Sequence, residues 1–513
     1  MSRQGLLIHH PYERMGHKEI ENIHDASMDI LNDPGLICFN EEAAGIFSDN
    51  GADVQPIPGL TPPGWKVRIP VTLVNRALES APKTVTLGAR NPDNALVMNG
   101  DESRVYFISG SECNIWLDPS FETYVSKNDS AREIRVPSFH ARRGTVNDLC
   151  NSARVFEQLD TVDGIIRNVN IQDDDITEDN KDVNKYFACL NNSTKHVMAG
   201  LTKSDQLDNV ITMAEIIAGG ETSLRGNPII SFITCLVKSP LQFVDDTTAT
   251  YLKIVRRGMP VVVSSSPQAG TTAPPSEAGM LAQINAEVLA GITLGQLVNP
   301  GTPVLYGTVP VRARMDTLDD SYGAVETTQY NIDCSQLARH YHLPNYSTAG
   351  VSDAKIPSHQ SAVERLFSDI LVTLSGPQFL HCAFGLLDCN STFSLLQAVI
   401  DDAHFRMLRW FFQQPEIADE DIEMATSQIR AVIEKPQKLY IKYVRKLLRS
   451  GRISPLYPFE GREMTDDAFW LAHQRTEELL AQPVNHIDKD VTNRLYREIP
   501  GLLQRLAGEE GGK

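Results

Sequence analysis

Apolar positions change their period along the chain. From Lys18 to Leu31 they recur at helical spacing, as in Ile23, Ala26, Ile30 and Leu31, and the same period returns from Glu41 to Phe47 and from Val71 to Leu78. Residues 1–95 therefore read as a helical N-terminal region, with turns at Pro34-Gly35, Pro56-Ile57-Pro58-Gly59, Pro62-Pro63-Gly64 and Asn91-Pro92. After Asn99-Gly100 short β-branched or aromatic runs take over, ending in small or polar residues and usually followed by a helix-like stretch. They are Arg104–Ser109, Gly164–Asn170, His196–Ala199, Pro228–Leu236, Pro260–Ser265, Thr302–Thr308, Leu343–Thr348 and Gln378–Leu386. Gln242–Arg257 is helical by period, and Met280–Leu297 is an Ala/Leu-rich helix stopped by Asn299-Pro300-Gly301. Eight strands alternating with helices predict an α/β fold, a (β/α)8 barrel. An open doubly wound sheet fits the same alternation, but eight is the closing number and no glycine fingerprint follows the first strand. From Asp388 onward the chain is again helical, for example over Phe393–Trp410 and Glu420–Glu434, and its tail Gly508–Lys513 is expected to fray. The expected organisation is a helical region at 1–95, the barrel at 96–390 and a C-terminal helical region at 391–513.

Composition narrows the function. The chain has 513 residues with 47 basic against 65 acidic side chains, a net charge of −18, which argues against a nucleic-acid partner. With 42% hydrophobic and 22% charged residues it is an ordinary globular sequence. No run of about 18 uninterrupted apolar residues occurs; Ile370–Leu387 comes nearest and is broken by Ser375, Gly376, Pro377, Gln378 and His381. No membrane span is expected, and the N-terminus lacks the apolar core of a secretory signal, so the expectation is a cytoplasmic protein. Eight cysteines without a CxxC pair read as buried free thiols, and no metal site is expected.

Generic catalytic motifs are missing: the chain has no P-loop, HExxH, GxSxG or GxGxxG. His340-Tyr341-His342 ends a helix beside Arg339 and reads as a solvated or capping pair rather than a chelate. In a barrel the chemistry sits where strands end. Those ends are rich in amides, hydroxyls and a few charges: Ser109-Gly110-Ser111, Asn168, Asn170, Ser264-Ser265-Ser266-Pro267-Gln268, Arg312, Arg314 and His381. The stretch Ser266–Pro275 is stiff enough to present N–H groups and hydroxyls at a fixed place, or to serve only as a connector. Gln283 and Glu287 share a face of an otherwise apolar helix, with Asn285 off it, and are expected to bond the adjacent loop. Asp353, Lys355, His359, Gln360 and Glu364 follow the seventh strand, where a salt-bridged helix start accounts for Asp353 and Lys355.

These residues resemble the trimethylamine methyltransferase superfamily of corrinoid-dependent methyltransferases. The resemblance runs through Ile23-His24-Asp25-Ala26-Ser27, Gly51-Ala52-Asp53-Val54 and Gly88-Ala89-Arg90-Asn91-Pro92. It is densest in Ala269-Gly270-Thr271-Thr272-Ala273-Pro274 and Gln283-Ile284-Asn285-Ala286-Glu287, and continues in Asn299-Pro300-Gly301-Thr302-Pro303 and Ser352-Asp353-Ala354-Lys355. It implies a (β/α)8 barrel and transfer of a methyl group from a methylamine to the cobalt of a separate corrinoid protein. The trimethylamine enzymes of the family carry pyrrolysine, whereas related members without it act on quaternary amines such as glycine betaine. Every residue here is one of the standard twenty, which implies the second branch. A quaternary ammonium already carries a neutral amine as leaving group, so Co(I) attacks the methyl carbon in line and the protein need only orient and desolvate.

Such a site holds a permanent cation against aromatic faces. Tyr106, Phe107, Tyr306 and Tyr346 are the aromatic candidates; Arg312, His359 and His381 are candidate carboxylate anchors; Gln360 joins them as a binding residue, with Glu326 and His359 as candidate catalytic groups. After the sixth strand the family's Met-Asp pair persists as Met315-Asp316, and Glu326 is kept, but the arginine that follows in the family is absent; Ser358 and Ser361-Ala362 likewise depart around Gln360. Asp402-Ala403-His404-Phe405-Arg406-Met407 imitates a corrinoid-binding motif with Met407 in place of glycine, so the corrinoid is expected on a partner protein, with no cofactor held tightly by this chain. A homo-oligomer is compatible with the sequence. Two rival readings remain: a betaine-binding or sensing barrel, and a barrel enzyme of other chemistry, such as a lyase using Glu326 or His359 as base.

Overall fold

The computed structural model describes residues 5–125, 133–415, 417–435, 440–449, 453–461 and 467–507. Each of the eight apolar runs contains a strand: β1 (Arg104–Phe107), β2 (Gly164–Ile166), β3 (His196–Ala199), β4 (Ile230–Thr234), β5 (Val261–Ser265), β6 (Val304–Thr308), β7 (Asn345–Thr348) and β8 (Phe379–His381). They are parallel neighbours in the order β1-β8-β7-β6-β5-β4-β3-β2, and Leu6–Leu7 adds an antiparallel ninth strand beside β1. The sheet curls far enough that an isolated parallel bridge, Ile108 with Gly164, brings β2 back beside the end of β1. The Asp163 N–H also donates to the Phe107 carbonyl at 2.8 Å. The protein is thus a mixed α/β fold built on a large, curled, mostly parallel sheet with many helices.

Alternation along these strands divides the apolar residues between two cores. Tyr106, Ile108, Ile166, Met198, Val262, Leu305, Tyr346 and Phe379 form one cluster on the concave side of the sheet. Their sequence neighbours Phe107, Ile165, Val197, Val261, Val263 and Tyr306 belong to the outer core beneath the helices. The hairpin Thr84–Leu87/Leu96–Asn99 contributes Val85, Leu87, Leu96 and Met98 to the inner cluster and so plugs the end of the sheet where the strands begin.

Five helices matter below: α1 (His17–Asn32), α2 (Glu277–Val298), α3 (Val325–His340), α4 (His359–Ser375) and α5 (Leu395–Phe411). Among the described residues α2 alone is long and apolar enough to cross a membrane, but 89% of its apolar window is buried inside the fold. It is a core helix, apolar on every side. Its polar residues are all paired. Gln283 Nε2 donates to the Thr272 carbonyl (2.9 Å) and to Glu287 (3.0 Å), tying α2 to the preceding loop. Asn285 donates to Ser27 of α1 and to the Tyr341 hydroxyl, each at 2.9 Å.

Two expectations need correction. The N-terminal region is not purely helical. Leu36–Cys38, Asp53–Pro56 and Trp65–Arg68 form a small sheet that Gln242–Phe243, from the loop after β4, joins in parallel. Alternation such as Lys66-Val67-Arg68, with only Val67 buried, carried that signal at period two. Second, the connection from β1 to β2 holds more than a helix: a long hairpin, Ile115–Val125 with Glu133–Arg143, precedes the helix Val146–Gln158. The frayed tail expected at Gly508–Lys513 lies outside the described residues.

Candidate active site

The strand ends opposite the plugging hairpin open into a space lined by β2, β3, β4, β7 and β8. Arg167, immediately after β2, reaches over Gly200 after β3; a Cβ at Gly200 would lie 3.4 Å from Arg167 Nη2 and 3.2 Å from the Ile233 carbonyl. Arg167 Nη2 donates to Glu112 Oε2 at 2.5 Å. Behind this pair, Lys185 and Asp182 form a second one at 2.7 Å, both fully withdrawn from solvent. Burial opposes ionisation of Glu112, but Arg167 and Lys185 overcome it and bring the carboxyl down to about 2. Cys235, after β4, is exposed to this space, and Ile233, although packed on the inner cluster, is only half-buried. The expectation of buried thiols fails at Cys235, since the curl of the sheet leaves the end of β4 facing open volume. Cys38, Cys113, Cys189, Cys334 and Cys382 are buried.

Across the opening, Tyr346 stacks on Phe379 and His381, with ring centroids 5.3 and 4.2 Å away. Burial pushes the Tyr346 hydroxyl well above its usual range and lowers His381 to about 4. His381 is therefore neutral at pH 7. Its Nδ1 lies 3.0 Å from both the Ser347 carbonyl and the Thr348 hydroxyl, which hold the ring in place. Tyr322 lies within electrostatic reach of Cys235 and Cys382 and is likewise held protonated by burial. Cys235 faces that space, but the space is enclosed by protein, and the resulting desolvation raises its thiol. The groups around the opening are thus phenols, a thiol and a neutral imidazole beside one ion pair. None of them has a pKa shifted toward 7, so they suit orientation and desolvation better than proton transfer.

Of the residues singled out from sequence, Tyr346 and His381 stand at this opening. Four others point elsewhere. Tyr106 is on the concave side but at its plugged end, where its hydroxyl donates to the Val97 carbonyl at 3.1 Å. Phe107 has the opposite parity and packs under α5, 4.4 Å from the Phe405 ring with Arg409 over its face. Tyr306 also faces outward, donating to Asn285 Oδ1 of α2 at 2.9 Å. His359, the first residue of α4, is exposed. Arg312 and Glu326 pair with each other at 3.3 Å on the rim, each about two-fifths exposed, and exposed Gln360 donates to Glu364 at 2.7 Å. Lys355 pairs with Asp388, not with Asp353, which instead accepts from Ser321 and the Tyr322 N–H. Replacing Tyr106 by Phe is expected to cost about 1–2 kcal/mol of stability, since the hydroxyl both donates to the Val97 carbonyl and accepts from the Val97 N–H at 3.3 Å, measurable by urea denaturation. Ligand binding should be unchanged, because that hydroxyl points away from the opening.

Sequence reasoning passed over Arg167, Glu112, Lys185, Asp182 and Tyr322. Arg167 left a signal: it is the sole charge in the run Gly164–Asn170. A separate apolar groove of about 1040 Å³ lies among the outer helices, lined by Leu159, Ile370, Met407, Phe411, Leu456 and Tyr457, and touches none of the strand ends. The segment Asp402–Met407 belongs to it as part of α5.

The family model for trimethylamine methyltransferase (MTTB) matches residues 5–439. The chain belongs to that methyltransferase family. A trimethylamine methyltransferase MttB of Desulfitobacterium hafniense (strain DSM 10664 / DCB-2) is 30% identical over 492 residues, covering 96% of this chain and 89% of the relative. A glycine betaine methyltransferase of D. hafniense (strain Y51) is 28% identical, covering 98% and 97%. The trimethylamine methyltransferase MttB1 of Methanosarcina mazei is 27% identical, covering 95% and 94%. Family membership covers Glu287 and its neighbours, whose roles the structure gives directly. Glu287 accepts from the Leu241 N–H at 2.9 Å, from Ser239 at 2.8 Å and from Ser265, which ties α2 to the ends of β4 and β5.

Proposed function

We propose that this chain is a (β/α)8-barrel methyltransferase that moves a methyl group from a quaternary amine, glycine betaine or a related betaine, to the Co(I) of a separate corrinoid protein. The barrel occupies residues 96–390 and the corrinoid protein docks over its open end. Co(I) supplies the electron pair of the new Co–C bond, and the C–N pair leaves with a neutral tertiary amine. The observation that carries this reading is the state of the groups at the opening: neutral His381, protonated Tyr346, Tyr322 and Cys235, and a fixed Arg167–Glu112 pair. None needs to exchange a proton for the methyl group to leave a quaternary nitrogen. The glycine betaine methyltransferase among the relatives and the twenty-letter sequence support the choice of donor.

The test mixes the protein with Co(I) cobalamin or a reduced corrinoid protein and each of glycine betaine, carnitine, proline betaine, choline and trimethylamine. Methyl-Co(III) absorbance is expected with a quaternary amine and not with trimethylamine. Silence across the panel while calorimetry still detects a bound betaine would convert the reading to a binding protein.

A further inference from the structure

After α5 the chain makes an excursion that enters neither core. It holds two helices, α6 (Asp419–Ile433) and α7 (Ile441–Arg449). No residue of α6 is buried. Apolar residues nevertheless recur on both at helical spacing: Ile422, Ile429 and Ile433 on α6, and Ile441, Val444 and Leu448 on α7. All six are exposed, by 42% to 70%. The excursion begins and ends at the outer apolar groove, whose wall includes Phe411 and Leu456, so the two stripes extend an apolar surface that already faces water. A surface of that extent marks a place where another molecule sits. Charge is divided between the same two helices. Four acidic residues stand against one basic on α6, whereas α7 has four basic residues and no acidic one. Asp419 and Glu423 flank the α6 stripe one turn apart, Arg445 and Arg449 flank that of α7 in the same way, and all four are exposed. Among the described residues no ion pair joins α6 to α7.

We propose that α6 and α7 are the interface between two copies of this chain. A two-fold axis sets the apolar stripes of the copies against each other and lays the acidic α6 of each on the basic α7 of the other. The division of charge selects this occupant. An anionic membrane would attract α7 and repel α6, and a partner surface of one sign would match one helix only. A second copy, turned end for end, offers the opposite sign to both helices at once, and like charges would oppose any arrangement in which the copies lie parallel.

Analytical ultracentrifugation of the full chain tests this. The natural chain is expected to form a dimer that dissociates on dilution. Two double variants at exposed positions, Asp419→Lys with Glu423→Lys and Arg445→Glu with Arg449→Glu, should each self-associate at least ~10-fold more weakly, because each sets like charges together across the two-fold axis. Mixed in equal amounts, the two variants should regain a dimer of natural affinity, since the reversed helix of each meets its opposite on the other. That recovery would also show that neither variant has lost its fold. A natural chain that stays monomeric at every concentration would overturn the proposal, and flotation of that monomer with phosphatidylserine vesicles would identify a membrane as the occupant instead. Variants that dimerise as the natural chain does would place the interface elsewhere and overturn it as well. So would a mixture of the two variants that remains monomeric.

Discussion

Arg365→Ala should cost about 3–5 kcal/mol of folding stability, the range for stripping one partner from a buried ion pair. Arg365 is fully buried on α4 and pairs with fully buried Asp401 of α5 through Nη2 and, at 2.9 Å, through Nε. Its Nη1 donates to the Leu386 carbonyl at 2.5 Å, and Nη2 also approaches the Ala383 carbonyl at 3.4 Å. Truncation would leave Asp401 with only the Gly385 N–H and Gln397 as hydrogen-bond donors, each at 2.8 Å, would strip the Ala383 carbonyl of its donor, and would leave the Leu386 carbonyl with the Ser352 N–H alone, at 3.3 Å. Lysine cannot replace the fork, so Arg365→Lys should recover little of the loss. Urea denaturation of both variants reads the effect directly. A loss below about 1 kcal/mol would mean the pair contributes no more than an exposed one. The same loop carries Cys382 away from His381, so Arg365 also fixes one wall of the opening from behind.

The second large effect depends on pH. His196 is buried on β3 between the Gly88 carbonyl, 2.6 Å from Nδ1, and the Ser231 hydroxyl, 2.7 Å from Nε2. Burial lowers its pKa from 6.5 to about 4. Below pH 6.5 the unfolded chain takes up a proton at this site that the folded chain refuses until about pH 4, so the free energy of unfolding falls as the pH falls through that window. At 1.36 kcal/mol per pKa unit the contribution is about 3 kcal/mol over the whole window and about 2 kcal/mol by pH 5. His196→Gln lacks the titration. The stability advantage of the natural protein over this variant should therefore shrink by about 2 kcal/mol between pH 7.5 and pH 5. Buried Asp369, Asp163 and Glu287 have raised pKa values and push the opposite way, but they are present in both proteins and cancel in the difference. An advantage independent of pH would show that His196 titrates normally.

The eight strands were legible because strands covered on both faces need unbroken apolar runs, and turns interrupt those runs. Their ends were less so: the strand within Gly164–Asn170 covers only Gly164–Ile166, and beyond it a single bridge joins Val169 to Cys113. Which aromatic faces the opening was not legible. Tyr106 and Phe107 are adjacent, so pleating must send one inward and the other outward, and Tyr306 and Tyr346 take opposite sides on separate strands. Parity is set by the pairing register, which a single sequence does not print. The polar residues of α2 were readable for a different reason. An apolar helix pays heavily for an unpaired amide, so Gln283 and Asn285 had to find partners, and they did. Glu112 was beyond reach, because its role depends on Arg167, far along the chain just after the next strand of the large sheet.

The way the curled sheet meets itself sets a schedule for biosynthesis. Strand β1 gains its parallel partner through Tyr106 and Phe107 pairing with Phe379 and Leu380 of β8, the last made of the eight parallel strands. At ~5–20 residues per second, β1 waits on the ribosome for tens of seconds with an unpaired edge. Leu6–Leu7 cannot shield that side, since it lies against the other edge of β1. Nascent chains stalled before residue 379 should consequently be the species that chaperones hold and that aggregates when they do not.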